Sequence, residues 1–249
     1  MDHEGSLYGG AGAAFELSPG AGGWREKILH KFPAFNGDGF GATGIMLDAA
    51  GNLYGTAEYG GNPTCPLGCG IVYELQRMAN GKWREMVLHE FGEFTGDGSK
   101  PIGGTVIADG TGNLYGTTSQ GGTHVCFAGC GTVYKLTRQS DGRWKETIVY
   151  DFRDGASGNG PGAGVVMDKK GNLYGTTVYG GSPQCGCGVV YELSPSSNGK
   201  WKYTVLHTFT GNDGAQPAAN LILDSKGNLY GTTATGGAGG AGVAFELTP

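Results

Sequence analysis

The sequence predicts an all-β chain folded as a β-propeller of four-stranded antiparallel blades, and three observations carry that reading. One phrase returns five times in 249 residues: Gly5-Ser-Leu-Tyr-Gly9, Gly51-Asn-Leu-Tyr-Gly-Thr56, Gly112-Asn-Leu-Tyr-Gly-Thr117, Gly171-Asn-Leu-Tyr-Gly-Thr176 and Gly227-Asn-Leu-Tyr-Gly-Thr232. The copies start 46, 61, 59 and 56 residues apart, and periods of this order mark repeat architectures. Between them lie short β-branched and aromatic runs bounded by Gly, Asp, Asn and Ser, as strands joined by turns require. Glycine supplies 52 residues with no Gly-X-Y period, which excludes collagen and suits many tight turns.

The unit from Pro101 to Phe152 shows the elements in order. Thr105–Ala108 is a first, short apolar strand, and Asp109-Gly-Thr-Gly112 turns the chain. Asn113–Thr118 is the second strand, and a long loop follows from Ser119 to Gly131. Thr132–Leu136 is the third strand. The polar turn Gln139–Gly142 leads to the fourth, Trp144–Phe152. Four antiparallel strands per repeat are the signature of a propeller blade. Alternate residues of a strand point to opposite sides. The fourth strands therefore present Trp24/Glu26/Ile28/His30/Phe32, Trp83/Glu85/Val87/His89/Phe91, Trp144/Glu146/Ile148/Tyr150/Phe152 and Trp201/Tyr203/Val205/His207/Phe209 as one packing face against a neighbouring blade.

The repeats run from the first ten residues to the last, so residues 1–249 read as a single repeat domain with units beginning near 1, 43, 101, 161 and 217. Met1–Tyr8 aligns without a gap on Leu223–Tyr230, so the chain starts inside the first strand of its first unit. It ends just after the third strand of its fifth. Five blades is the preferred count, with the terminal blades each one strand short. A four-bladed ring is the alternative: Trp24–Phe32 would then complete the last blade, leaving Gly5–Leu17 unused. Incomplete terminal blades also leave open edges, which would allow strand exchange between molecules or an oligomer.

Gly-Asn-Leu-Tyr-Gly-Thr-Thr followed by Gly-Gly, and then Gly-x-Val-Tyr-Glu-Leu, resembles the GloVer tandem repeats of exported bacterial proteins (choice-of-anchor type). The match covers nearly the whole chain and is clearest at Gly112–Leu136 and Gly171–Leu193. The resemblance implies a propeller-like β fold and secretion or surface display. It implies no activity and no catalytic residues. The first copy departs from the pattern, with Gly9-Gly10 in place of Gly-Thr.

Alternating strand direction sends the second-to-third and the inter-unit loops to one face of the ring. The turns on the other face are short and monotonous, as in Asp48-Ala-Ala-Gly51 and Asp168-Lys-Lys-Gly171. The loop face varies: units two to four carry long loops (Glu58–Gly70, Ser119–Gly131, Val178–Gly188), while units one and five carry bare glycine and alanine. A raised rim over three blades is thus expected on a rigid scaffold, where binding groups commonly sit. All six cysteines lie in these loops, as Cys65/Cys69, Cys126/Cys130 and Cys185/Cys187. They read as three local disulfides formed in an oxidising compartment, not as a four-ligand zinc site.

The formal charge is −5 with 16% charged residues and no basic stripe, so no nucleic acid is expected as partner. No apolar run is long enough for a membrane span, and the N-terminus is not a signal peptide. His30, His89 and His207 recur where the third copy has Tyr150, and a metal ligand does not tolerate that exchange. They therefore read as packed rings, and neither metal nor cofactor is expected. Asp38, Asp97 and Asp213, with Asn159 in the remaining place, read as turn formers before glycine. The unrepeated rim residues are the ligand-binding candidates: Glu58, Tyr59, Asn62, Gln120, His124, Tyr179 and Gln184. Aromatic rings beside amides and a carboxylate suit a sugar. The expected function is a secreted or surface propeller that binds carbohydrate through its loop face. A hydrolase or lyase is the alternative, with Glu58, Asp97 and Asp38 as the catalytic candidates for a carboxylate pair. A structural domain that binds another surface protein is the third reading.

Overall fold

The computed structural model describes residues 1–10, 12–32, 39–103, 105–124, 126 and 129–248. Every regular element among them is a strand, and no helix is long and apolar enough to cross a membrane. The first sheet holds β1 (Leu7–Gly10), β2 (Ala13–Gly20) and β3 (Gly23–Lys31). The second holds β4 (Phe40–Leu47), β5 (Leu53–Tyr59), β6 (Ile71–Arg77) and β7 (Trp83–Glu90). After β8 (Gly98–Ser99), the third begins with β9 (Ile107–Ala108) and β10 (Leu114–Thr118); β11 (Gln120–Gly121) leaves it to pair with β8, and β12 (Thr132–Arg138) and β13 (Trp144–Asp151) complete it. The fourth holds β14 (Val166–Met167), β15 (Leu173–Thr177), β16 (Val189–Pro195) and β17 (Trp201–Thr208). The fifth holds β18 (Ile222–Leu223), β19 (Leu229–Thr232) and β20 (Ala244–Leu247). These five small antiparallel sheets stand in a ring, a five-bladed propeller of mostly four-stranded blades. The strand Trp24–Phe32 belongs to the first blade, because β3 pairs with β2 from Pro19↔Trp24 to Ala13↔Lys31. That register removes the four-bladed alternative.

Each residue of the repeated phrase has a distinct task. The leucine is core: Leu53, Leu114, Leu173 and Leu229 are buried. Ahead of it, the turn aspartate accepts the backbone N–H two and four residues on, as Asp109 does from Thr111 (2.9 Å) and Asn113 (3.0 Å). The asparagine side chain donates to the second oxygen of the same carboxylate, at 2.7 Å for Asn113. The tyrosine hydroxyl donates to it as well, at 3.2 Å from Tyr115 and 2.8 Å from Tyr8 to Asp2. The following glycine lies beneath the aromatic ring of the third strand. A Cβ at Gly116 would stand 2.3 Å from Tyr134 Oη, and one at Gly231 2.5 Å from Phe245 Cζ. The first threonine fastens its blade to the next: Thr117 Oγ1 donates to Ala163 O at 2.8 Å and Thr176 Oγ1 to Pro217 O at 3.1 Å. The second holds the mouth of the long loop, Thr177 Oγ1 donating to Tyr179 O at 3.0 Å. Gly10 replaces the first threonine because Thr43 O passes 2.3 Å from where its Cβ would be.

Four buried apolar clusters fill successive blade junctions. Leu114, Tyr134 and Leu136 of the third blade, for example, pack with Val72 and Phe91 of the second. The outer strands depart from the alternation the sequence predicts. Each of the four pairs that end a blade slips register once, as between Val72 and Tyr73 against β7. A bulge of this kind bends the strand and breaks its period of two. Val87 is therefore 40% exposed while His89, expected on the same face, is 8% exposed.

Candidate functional site

The long loops share one backbone frame. Gly70 N donates to Gly60 O at 3.1 Å, Gly131 N to Gly121 O at 3.2 Å, and Gly188 N to Gly180 O at 3.0 Å. All six cysteines are paired as expected, Cys65–Cys69, Cys126–Cys130 and Cys185–Cys187. The carbonyl of each second cysteine accepts from the loop entering the next blade: Lys100 N to Cys69 O, Gly160 N to Cys130 O and Gln216 N to Cys187 O, each 2.8 Å. The disulfide loops are thus braced against the inter-blade loops.

At the second blade the candidate side chains are engaged by groups of their own and the adjoining loops. Tyr59 stacks on Phe40 with centroids 4.6 Å apart and planes 13° off parallel. The Lys100 ammonium sits 3.8 Å from the centre of the Tyr59 ring. A hydrogen bond to Glu58 raises the Tyr59 phenol above its ordinary value, and burial lowers Lys100. Asn62 is a loop fastener: its Nδ2 donates to Gly92 O at 3.1 Å and its Oδ1 accepts from Thr64 N at 3.0 Å. The adjoining cleft of about 440 Å³ is lined by glycine, proline, Phe40 and Leu67. It offers few polar side chains.

On the third blade, Gln120 lies in β11, paired with Ser99. His124 Nε2 stands 3.8 Å from Asp151 Oδ2, an oxygen that also accepts from Thr123 N at 3.0 Å. Of the catalytic candidates, Asp97 is buried in the junction between the second and third blades. One oxygen accepts from Glu93 N at 2.9 Å and the other faces His89. Asp38 lies outside the described residues.

The fourth blade differs. Tyr179 follows β15 and is 53% exposed, its ring resting on Gly160, where a Cβ would lie 3.2 Å from the ring edge. Tyr179 and Asn159 exchange backbone hydrogen bonds of 3.1 and 3.0 Å, which tie the disulfide loop to the preceding inter-blade loop. Asn159 Nδ2 donates to Asp154 Oδ1 at 2.7 Å, and Ser182 Oγ to Gln184 Oε1 at 2.8 Å. Asp154, Asn159, Tyr179 and Ser182 line a cleft of about 560 Å³. An open aromatic ring stands here among hydroxyl, amide and carboxylate groups. Sequence reasoning found Tyr179 and Gln184 but passed over Asp154 and Ser182, and it read Asn159 only as a turn. The usable signal was that this inter-blade loop alone carries Asn where the other copies carry Asp.

The sequence pattern of one family, described as the Gloeobacter/Verrucomicrobia repeat, matches residues 1–199 and again 128–249. The chain belongs to that family. A search of curated proteins finds no match. Among solved structures, this Gloeobacter/Verrucomicrobia repeat chain is similar to an exo-1,5-α-L-arabinanase from a bovine ruminal metagenomic library. The identity is 12% and the TM-score 0.52, over 99% of this chain and 90% of that one. It is also similar to a protein of unknown function from Dyadobacter fermentans, at 11% identity and TM-score 0.55, over 95% and 68%. At such identities the likeness is one of fold, and a propeller fold hosts many unrelated functions.

Proposed function

We propose that this chain is a carbohydrate-binding module of the cell exterior, and that it takes its ligand in the cleft of the fourth blade. The observation that carries this is the exposed Tyr179 ring, set beside Asp154, Asn159 and Ser182 on braced loops. A sugar offers an apolar C–H face for an aromatic ring and hydroxyls for amide, hydroxyl and carboxylate partners. A loop frame fixed by disulfide and backbone hydrogen bonds loses little freedom on binding, which favours affinity. Three local disulfides are in keeping with an oxidising, extracellular compartment. The test is a panel of oligosaccharides and polysaccharides, following retention on the protein and release of products by mass spectrometry. Retention without products is expected, with Tyr179→Ala weakening it roughly tenfold or more, as loss of about 1.4 kcal/mol of binding does. Retention unchanged in Tyr179→Ala would move the ligand away from this cleft, and products would make the chain an enzyme.

A further inference from the structure

At the junction of the second and third blades, three groups with metal-ligating atoms meet. His89 stands near the end of β7, Asp97 in the loop that follows, and Glu146 on β13 of the next blade. Their side chains are 7%, 0% and 2% exposed. His89 Nε2 lies 3.7 Å from Asp97 Oδ1 and 3.7 Å from Glu146 Oε2, and one ligating atom from each residue falls within 4.8 Å of the others. These separations are too long for hydrogen bonds. Accordingly His89 Nε2, Asp97 Oδ1 and both Glu146 oxygens have no hydrogen-bond partner. Buried polar atoms left in that state are costly. The spacing suits a shared cation, since ligands about 2.0–2.2 Å from a tetrahedral metal lie roughly 3.3–3.6 Å apart.

We propose that His89, Asp97 and Glu146 are the protein ligands of a divalent first-row metal ion of the zinc class, bound between the second and third blades. Without a cation, burial and the neighbouring Asp97 carboxylate raise Glu146 to about 9; a bound metal takes the place of that proton, and one imidazole and two carboxylates then bring two negative charges, which a divalent cation balances. The imidazole favours zinc and its neighbours over magnesium or calcium. Supporting contacts orient the ligands, as metal sites require. Phe91 packs edge-on to the His89 ring at 4.8 Å, and Glu93 N holds Asp97 Oδ2 so that Oδ1 faces the site. A cleft of about 550 Å³, lined in part by His89, Glu93, Asp141 and Glu146, gives an entry path and room for a water as fourth ligand.

The other junctions support the assignment. The sequence expectation that Tyr150 disqualifies the histidines took that position alone. Where His89 becomes Tyr150, Asp97 becomes Asn159 and Glu146 becomes Tyr203, so all three positions change together. The two tyrosines stack there at 4.1 Å and 7°, a packing solution with no ligand set. At the first junction His30 Nε2 and Glu85 Oε2 are 3.0 Å apart, and the third position, Asp38, lies outside the described residues. At the fourth junction His207 and Asp213 pair at 3.0 Å, and among the described residues the fifth blade has three strands and no outer-strand carboxylate.

The test uses the full chain, oxidised, stripped with chelator and then dialysed with zinc chloride. Retained zinc is counted by plasma mass spectrometry, and its ligands are read by zinc-edge X-ray absorption. One zinc per chain is expected, with imidazole and oxygen ligands and no sulfur. Glu146→Gln and Asp97→Asn should each weaken it roughly tenfold or more, since even supporting residues of metal sites contribute 10–100-fold. Added zinc should raise the Tm of the parent chain by more than that of either variant at the same concentration, since the gain follows the ratio of free metal to Kd. Zinc that washes off the parent, zinc undiminished in both variants, or a sulfur-ligated spectrum would overturn the proposal. The absorption spectrum of the parent decides even if a variant fails to fold.

Discussion

Gly116 and Tyr134 show how a repeated residue is explained by its partner. The glycine carries no positive φ, so its backbone does not demand it. What demands it is the Tyr134 ring, whose Oη would stand 2.3 Å from an added Cβ. Gly116→Ala should cost about 1–3 kcal/mol by overpacking, and each kcal/mol lowers Tm by about 2–4 °C at this chain length. Gly110→Ala is the control, because nothing lies within 4 Å of its Cβ position, and it should leave Tm nearly unchanged. The Tyr134 hydroxyl is buried without a hydrogen-bond partner, and the terminal blades carry Phe15 and Phe245 at this position. Tyr134→Phe should therefore keep or raise Tm, since an unpaired buried hydroxyl costs about 1–3 kcal/mol. Loss of stability in that variant would show that the hydroxyl has a partner. The strands that carry both residues, Asn113–Thr118 and Thr132–Leu136, were legible in the sequence. The contact between the two residues was not, because it depends on the pairing Gly116↔Tyr134 across two strands.

At the scale of the element, the turn before the second strand works as a closed unit around one carboxylate. Burial alone would raise the Asp109 carboxyl. Hydrogen bonds from Asn113 and Thr111 outweigh it and hold the group down to about 2. Asp168 is lowered in the same way, burial opposing and the Asn172 and Lys170 bonds prevailing. A carboxyl whose folded pKa lies below its unfolded value of 3.8 stabilises the fold fully above about pH 4. That contribution fades as pH falls from there through about 2. Asp109→Asn should thus lower Tm at pH 7 and converge on the parent near pH 2. The group is largely solvent-facing, so the neutral-pH loss should be at most about 1 kcal/mol. Thermal melts at the two pH values check it; an equal deficit at both would assign the effect to shape and not to charge. The sequence already marked Asp109–Gly112 as a structural turn. It could not show the Thr117 and Thr176 fasteners, whose carbonyl partners lie 46 and 41 residues away.

The whole molecule is four filled junctions and one that differs. Clusters join the first blade to the second and so on to the fifth, and among the described residues no buried apolar cluster joins the fifth to the first. The outward face of the first blade shows the consequence, with Trp24 59% and Ile28 43% exposed. Their counterparts on the third blade, Trp144 and Ile148, pack against the buried cluster between the second and third blades, as does Leu88 of the second. Among the described residues the fifth sheet ends at β20, which pairs with β19 and has no strand on its other side to carry such a residue. A chain extended after Pro249 by a copy of residues 196–209 would supply that strand, because Ala244–Pro249 aligns on Val190–Pro195. The added strand should pair with β20 as β17 pairs with β16, and its leucine should join Trp24 in one apolar cluster, as Leu88 and Trp144 share one at the second junction. Tm should rise by several degrees, since burying one large apolar side chain is worth about 1.5–3 kcal/mol. Trp24 emission should shift to the blue, read against the same extension in a Trp24→Phe background. A rise in Tm without that shift would mean that the new strand completes the fifth sheet but does not reach the first blade.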